Sequence, residues 1–415
     1  MKFNKWTLGL AAVGVVSLAS AARADEKINP LETALSNTTI SGYVSTSFNW
    51  AVDPGGSAYA RSPGEFIPFQ GTRYSKQDGF NLDVVKLSIA KAQDESPWAS
   101  GYQVDLLFGP DAVGYNTSAN AYSGYSDFAI KQAYVVLRTP VGNGIDWKIG
   151  VFDSPIGYEV FDAGSNPNYT RSWGYAIEPT ELTGILGTYK INDEWSVSSG
   201  IANVLSSGIN ARDLESGYQN GYGSAWHKAY IESIAYTAPS SWGWAAGSSI
   251  YAGVEYGYET SSGKTGYADG NQVNYYAGAT FNTPWKQFTT GVAFDYAHNL
   301  GGGVEGVGVN TYADVSALGL YGTYKATDKL SFNGRGEWVY TDLYNSLNGN
   351  HRGYNSGVEL TGTVEYDLWA NVISRLELRW DHVTGGDNAF LGDLAGVADF
   401  KPTSVGFYAN VIYKF

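Results

Sequence analysis

Apolar and polar positions alternate one for one over most of this chain. The last twelve residues, SVGFYANVIYKF, place Val405, Phe407, Ala409, Val411, Tyr413 and Phe415 on one row. Gly406, Tyr408, Asn410, Ile412 and Lys414 form the other row. A period of two is the mark of a β-strand with one greasy face. In IDWKIGV, Ile145, Trp147, Ile149 and Val151 oppose Asp146, Lys148 and Gly150. In ANVISRLELRWD, Val372, Leu376, Leu378 and Trp380 oppose Arg375, Glu377, Arg379 and Asp381.

Such segments run from Thr39–Trp50 to Ser404–Phe415, about sixteen of them and mostly about ten residues long. One is WGWAAGSSIYAGVEY, read as a strand from Trp242. The connections alternate. TPVGNG, Asn192-Asp193, NTPW and Thr327-Asp328 are tight, and long Gly-, Ser-, Tyr- and Asn-rich stretches lie between the tight turns. The Gly-rich GGGVEGVG from Gly301 leads into no helix, so it reads as a loop tip rather than a phosphate cradle. Every long loop leads back to a strand, and no linker divides two cores.

Rows of charge and rows of grease on the same strands fit one environment. In hydrocarbon every backbone donor and acceptor needs a partner within the protein, and a closed barrel supplies all of them. An Arg or Lys facing the bilayer midplane costs ~2–4 kcal/mol, so the charged rows must face inward. The predicted fold is all-β: a transmembrane antiparallel up-and-down β-barrel of about sixteen strands, with short periplasmic turns and long extracellular loops. Trp50, Trp98, Trp195, Trp242, Trp285, Trp338, Trp369 and Trp380 fall near strand ends, where headgroup girdles would hold them.

Composition sharpens this picture. Charged residues are 16% of the 415 and aromatics 15%, with 52 Gly, 32 Tyr and no Cys. Low charge with abundant Tyr and Trp suits strands between lipid and water. The absence of Cys closes disulfide and zinc–thiolate arguments. Lys2, Lys5, the apolar run after Trp6 and the Ala22-Arg23-Ala24 step read as an export signal over residues 1–24, leaving 25–415 as one barrel domain. Losing its three cations takes the formal charge of −14 to −17, which argues against nucleic acid as a partner.

Sixteen strands leave room for water inside, whereas eight fill with side chains. Parity places Arg335, Glu337, Glu359, Glu365, Arg375, Glu377 and Arg379 on the inner wall, as a transverse field or as a stabilising ladder of ion pairs. The four histidines, His227, His298, His351 and His382, fall in or beside long loops and lack ligand spacing. No serine stands in a hydrolase constellation, and nothing calls for a cofactor or resident metal.

The strand ISGYVSTSFNW, the stretch KQAYVVLRTPVGNGIDWKIGVFDSPIGYE (Lys131–Glu159) and the terminal Phe415 resemble the OmpL-like β-barrel porins of Gram-negative bacteria. The resemblance implies an outer-membrane location, passive diffusion of small hydrophilic solutes or ions, and a C-terminal Phe read by the assembly machinery. In general porins a third loop folds inward and narrows the pore, so the third long loop here is the constriction candidate, the alternative being a loop that lies outward on the surface. That loop, Asp153–Thr180, supplies Asp153, Glu159, Asp162 and Glu178 against Arg171, an acidic narrowing that would favour cations. Porins of this size are often trimers, so lipid, solutes and further copies of the chain are the expected partners. The alternatives are a sugar-selective porin with Tyr134, Tyr276 and Tyr321 as stacking platforms, a barrel enzyme, and a surface-binding protein with a closed lumen.

Overall fold

The computed structural model describes residues 37–53, 78–115, 127–205, 209–210, 227–259, 270–300, 311–345, 351–386 and 403–415. The export signal read over 1–24 and the Gly-rich tip at 301–308 lie outside these residues.

Sixteen antiparallel strands follow one another in chain order, and the last pairs with the first. They are β1 (Thr38–Asp53), β2 (Gly79–Lys91), β3 (Ser100–Phe108), β4 (Phe128–Thr139), β5 (Ile145–Asp153) and β6 (Glu181–Lys190). Next come β7 (Trp195–Ala202), β8 (Ala229–Thr237), β9 (Ser249–Glu259), β10 (Gly270–Asn282) and β11 (Phe288–Leu300). β12 (Thr311–Lys325), β13 (Leu330–Asn345), β14 (His351–Trp369), β15 (Val372–Gly386) and β16 (Thr403–Lys414) complete the wall. The closed ring removes every edge strand, so the main-chain ladder has no open side.

The alternation dictates which side of the wall each residue meets. On β15, Leu376 and Leu378 are 53% and 54% exposed, while Glu377 and Arg379 between them are 1% and 0%. Buried charge and exposed leucine on one strand invert the order of a soluble protein. The outer rows therefore face away from the barrel and the inner rows face its interior. All the girdle tryptophans except Trp380 are exposed, and Trp380 is half-buried.

The structure departs from the sequence reading in two places, the first for a local reason. The strand read from Trp242 begins at Ser249, because Ser240–Ala245 forms a 3₁₀ turn with Gly243 at a φ of 61°. A residue with a side chain resists that backbone, which interrupts the extended run. β1 and β12 to β15 are also well over ten residues, at 16, 15, 16, 19 and 15.

Candidate functional site

Residues 154–180 leave β5, enter the barrel and return at β6. Ser154 Oγ donates to Glu255 of β9 at 2.7 Å. Ile156 then packs with Tyr276, Ala293 and Tyr321 on the inner wall, and Tyr158 stacks on Tyr321 at 4.1 Å. Phe161 and Ala163 pack with Tyr43, Leu107 and Ile412. A one-turn helix, Trp173–Ile177, follows, capped by Ser172 Oγ, which accepts from the Tyr175 N–H at 3.0 Å. Its Ile177 sits among Ala297, Ala313, Val315 and Ala317, small inward residues that leave room for it. Gly174 permits the close approach: a Cβ there would stand 2.5 Å from Asp295 Oδ2.

A buried non-helical segment carries peptide groups that its own backbone cannot satisfy. The wall satisfies them by sign. Carboxylates take the N–H groups: Glu377 accepts from Tyr169 at 2.6 Å and Thr170 at 2.9 Å, and Glu337 accepts from Trp173 at 2.8 Å and Gly174 at 3.2 Å. Guanidiniums take the carbonyls: Arg335 donates to Thr170 at 2.7 Å, Arg379 to Arg171 at 2.7 Å, and Arg375 to Ala163 at 2.7 Å and Asn166 at 2.9 Å. Arg335 is also paired with Glu159 of the segment at 2.8 Å and with Glu359 at 3.1 Å. Arg375 Nε donates to Glu365 at 2.6 Å. Hydrogen bonds to charged groups contribute about 1.5–3 kcal/mol each, so this set fixes the segment firmly.

All seven inner-wall residues read from parity therefore lie on the inner face. Six are closed off behind the segment, and Glu365 is partly exposed. They grip main chain as well as one another. Polar ties from the segment reach β1, β2 and every strand from β9 to β16.

The five loop residues divide. Glu159 is buried against Arg335. Arg171 donates to the carbonyls of Tyr169 and Phe161 and lies over the Tyr175 ring at 5.4 Å. Glu178 shares a hydrogen bond with Asp295 of β11; burial first, and the Asp295 charge next, hold its pKa well above the usual carboxylate range. Asp162 and Asp153 are the open pair. Asp162 accepts from Lys86 at 2.9 Å and Tyr43 at 3.1 Å, and Asp153 pairs with Lys131. Each side chain is 36% exposed, whereas Lys86 and Lys131 are 10% and 2% exposed.

Several contributors escaped the sequence reading. Asp83 accepts from Ser45 at 2.7 Å, Ser47 at 2.7 Å and Tyr169 at 2.9 Å. Lys86, Asp295 and Glu255 lie on inner rows, so extending the parity rule to β2, β9 and β11 would have found them. Among the histidines, His298 pairs with Asp314 at 2.8 Å, His382 stacks on Trp380 at 5.4 Å, and His227 stacks on Tyr258 at 4.0 Å. The His351 side chain lies outside the described residues. Among those residues, no three His, Cys, Asp or Glu side chains are placed to hold a metal ion.

Residues 37–415 match the family described as "Putative beta-barrel porin-2, OmpL-like". The chain belongs to this family. No curated protein matches it. Solved porin structures share its fold at low identity. The in-vitro folded OmpT of Vibrio cholerae, in its trimer form, is 14% identical over 91% of this chain and 99% of that one, with a TM-score of 0.52. The outer membrane channel DcaP of Acinetobacter baumannii is 14% identical over 91% and 97%, with a TM-score of 0.51. The anion-selective porin from Comamonas acidovorans is 12% identical over 91% and 99%, with a TM-score of 0.54. This porin thus has the barrel of its family and an inward-folded segment between β5 and β6.

Proposed function

We propose that this outer-membrane porin conducts small hydrophilic solutes and ions by passive diffusion, with a preference for cations, past the segment at 154–180. One observation carries the preference. At both ion pairs beside the segment the carboxylate is exposed and the ammonium is covered: Asp162 stands in front of Lys86, and Asp153 in front of Lys131. A diffusing ion then meets the acid first, and a narrow low-dielectric passage strengthens that field. The reversal potential of planar bilayers across a potassium chloride gradient tests this. A potential of the cation-selective sign is expected, and one of the anion-selective sign rejects the preference.

The sugar-selective reading gains less support. Tyr134, Tyr276 and Tyr321 are buried, and Tyr321 already stacks on Tyr158. Liposome swelling separates an open channel from a surface-binding protein with a closed lumen, since the latter gives no solute-dependent swelling. Residues 1–24 are read as a cleaved export signal and 25–415 as one barrel domain; N-terminal sequencing of the mature protein checks both. The trimer form recorded for OmpT supports assembly of this chain with copies of itself in the outer membrane.

A further inference from the structure

We infer that Asp105, a wall carboxylate closed to passing solutes, sets the cation preference by neutralising Lys86 from behind. The inference rests on the cation reading above and supplies the net charge that reading needs.

An exposed acid in front of a covered lysine is by itself a neutral pair. Beyond contact distance the attraction of the one and the repulsion of the other largely cancel. Lys86 stands in a group of three instead. Its ammonium lies between two carboxylates, Asp162 of the inward segment at 2.9 Å and Asp105 of β3 at 3.1 Å. The front carboxylate is 36% exposed and the rear one 1%. One ammonium between two carboxylates leaves one negative charge, and the exposed end of the group is Asp162.

The surroundings of Asp105 keep it ionised. Ser88 stands opposite it on β2, and Gln132 opposite it on β4. Ser88 Oγ and Gln103 Nε2 donate to Oδ1, and Gln132 Nε2 donates to Oδ2 at 2.9 Å, beside Lys86. Four donors fill the lone-pair sites of a carboxylate and leave no place for a proton.

The same network reaches the second exposed acid, because Gln132 Oε1 accepts from the Asp153 N–H at 3.1 Å. Lys131 has a rear carboxylate too, Glu181 at 3.8 Å, yet among the described residues neither Glu181 oxygen accepts a hydrogen bond. Glu181 therefore lacks the donors that hold Asp105 charged.

Asp105 also ties β2 to β4, and counting charges separates that structural role from an electrostatic one. Asp162, Lys86 and Asp105 together carry one negative charge in the parent, none in Asp105→Asn, two in Lys86→Gln, and one again in the double variant. Reversal potentials in a potassium chloride gradient, read on protein whose heat-dependent gel mobility shows a folded barrel, are expected to follow that order. Asp105→Asn moves towards the anionic side by about twofold in relative permeability, the effect of a unit charge one side chain beyond contact. Lys86→Gln moves the other way, and the double variant returns to the parent value. A double variant that stays with Asp105→Asn shows a structural role and overturns the inference, as does Asp105→Asn at the parent value. Asp162→Asn decides the matter where Asp105→Asn fails to fold. With Asp105 behind Lys86 its potential falls and keeps the cationic sign; an anionic sign means that Lys86 stands uncompensated, and overturns the inference. A parent of the anion-selective sign overturns the cation reading itself, whereas a cation-selective parent with an unmoved Asp105→Asn overturns only the role of Asp105.

Discussion

The Arg335 guanidinium of β13 lies 2.8 Å from the Glu159 carboxylate of the inward segment, and both side chains are closed to solvent. The same guanidinium serves Glu359 at 3.1 Å and the Thr170 carbonyl at 2.7 Å. Arg335→Ala would leave Glu159, Glu337 and Glu359 grouped without their shared cation. Removing one member of a buried pair costs about 3–5 kcal/mol. Much of that loss falls on the segment, since β13 keeps its ladder to β12 and β14. Single-channel recording is expected to show a larger and noisier conductance, and an unchanged trace would mean that the segment is held elsewhere.

Asp153 and Asp162 carry the selectivity argument. Replacing both by Asn removes the exposed charge of each pair, while Lys86 keeps Asp105 at 3.1 Å and Lys131 keeps Glu181 at 3.8 Å. A unit charge at contact distance in water-like surroundings contributes about 1 kcal/mol, or about fivefold in relative permeability. The reversal potential of Asp153→Asn with Asp162→Asn should move towards the anionic side. The partly buried Glu365 is a control: Glu365→Gln should shift the potential less.

Much of this was legible in the sequence. Strict alternation in β15 and β16 gave the outward and inward rows directly, because a strand shows its faces at a period of two and a bilayer tolerates one arrangement. Arg335, Glu337 and Glu377 were placed inward by that rule alone. Their partners were not, because Glu159, Tyr169 and Trp173 are 164 to 208 residues away in sequence from the groups that bind them. A contact between a loop main chain and a distant wall leaves no period. Trp242 misled for a local reason: apolar and small residues alternate through Trp242–Ala245, yet Gly243 turns the chain.

Glu178 predicts a pH dependence. Its carboxyl is held well above the ordinary range, by burial first and then by Asp295, with Glu159 and Glu255 adding negative charge nearby. A raised carboxyl favours the docked segment at acid pH, fully so below the pKa of the free segment. That contribution is lost as pH rises through the docked value, because the charged form must be desolvated beside other acids. Channel noise should therefore increase from mildly acidic to mildly alkaline solution. Glu178→Gln keeps a neutral hydrogen-bonding group at every pH, so its noise should rise less with pH than the parent's; a variant as pH-sensitive as the parent would assign the effect to another group.

Phe415 closes the barrel at the seam of β1 and β16. Its N–H donates to the Gly42 carbonyl at 3.0 Å, and the Gly42 N–H donates back to Phe415 at 2.9 Å. The ring lies over Gly42, where a Cβ would stand 2.7 Å from Cζ. Gly42 faces outward on β1, and the aromatic ring covers the bare backbone that a glycine leaves there. Deleting Phe415 removes two main-chain bonds at the one joint that the chain cannot make locally. Each contributes about 0.5–1.5 kcal/mol net in water, and an unpaired group facing hydrocarbon costs several. Phe415→Ala keeps both bonds and loses the ring alone. Gel mobility before and after heating should rank folded yield as parent, then Phe415→Ala, then the deletion. Equal yields for the two variants would show that the ring, rather than the main-chain seam, is what completes the barrel.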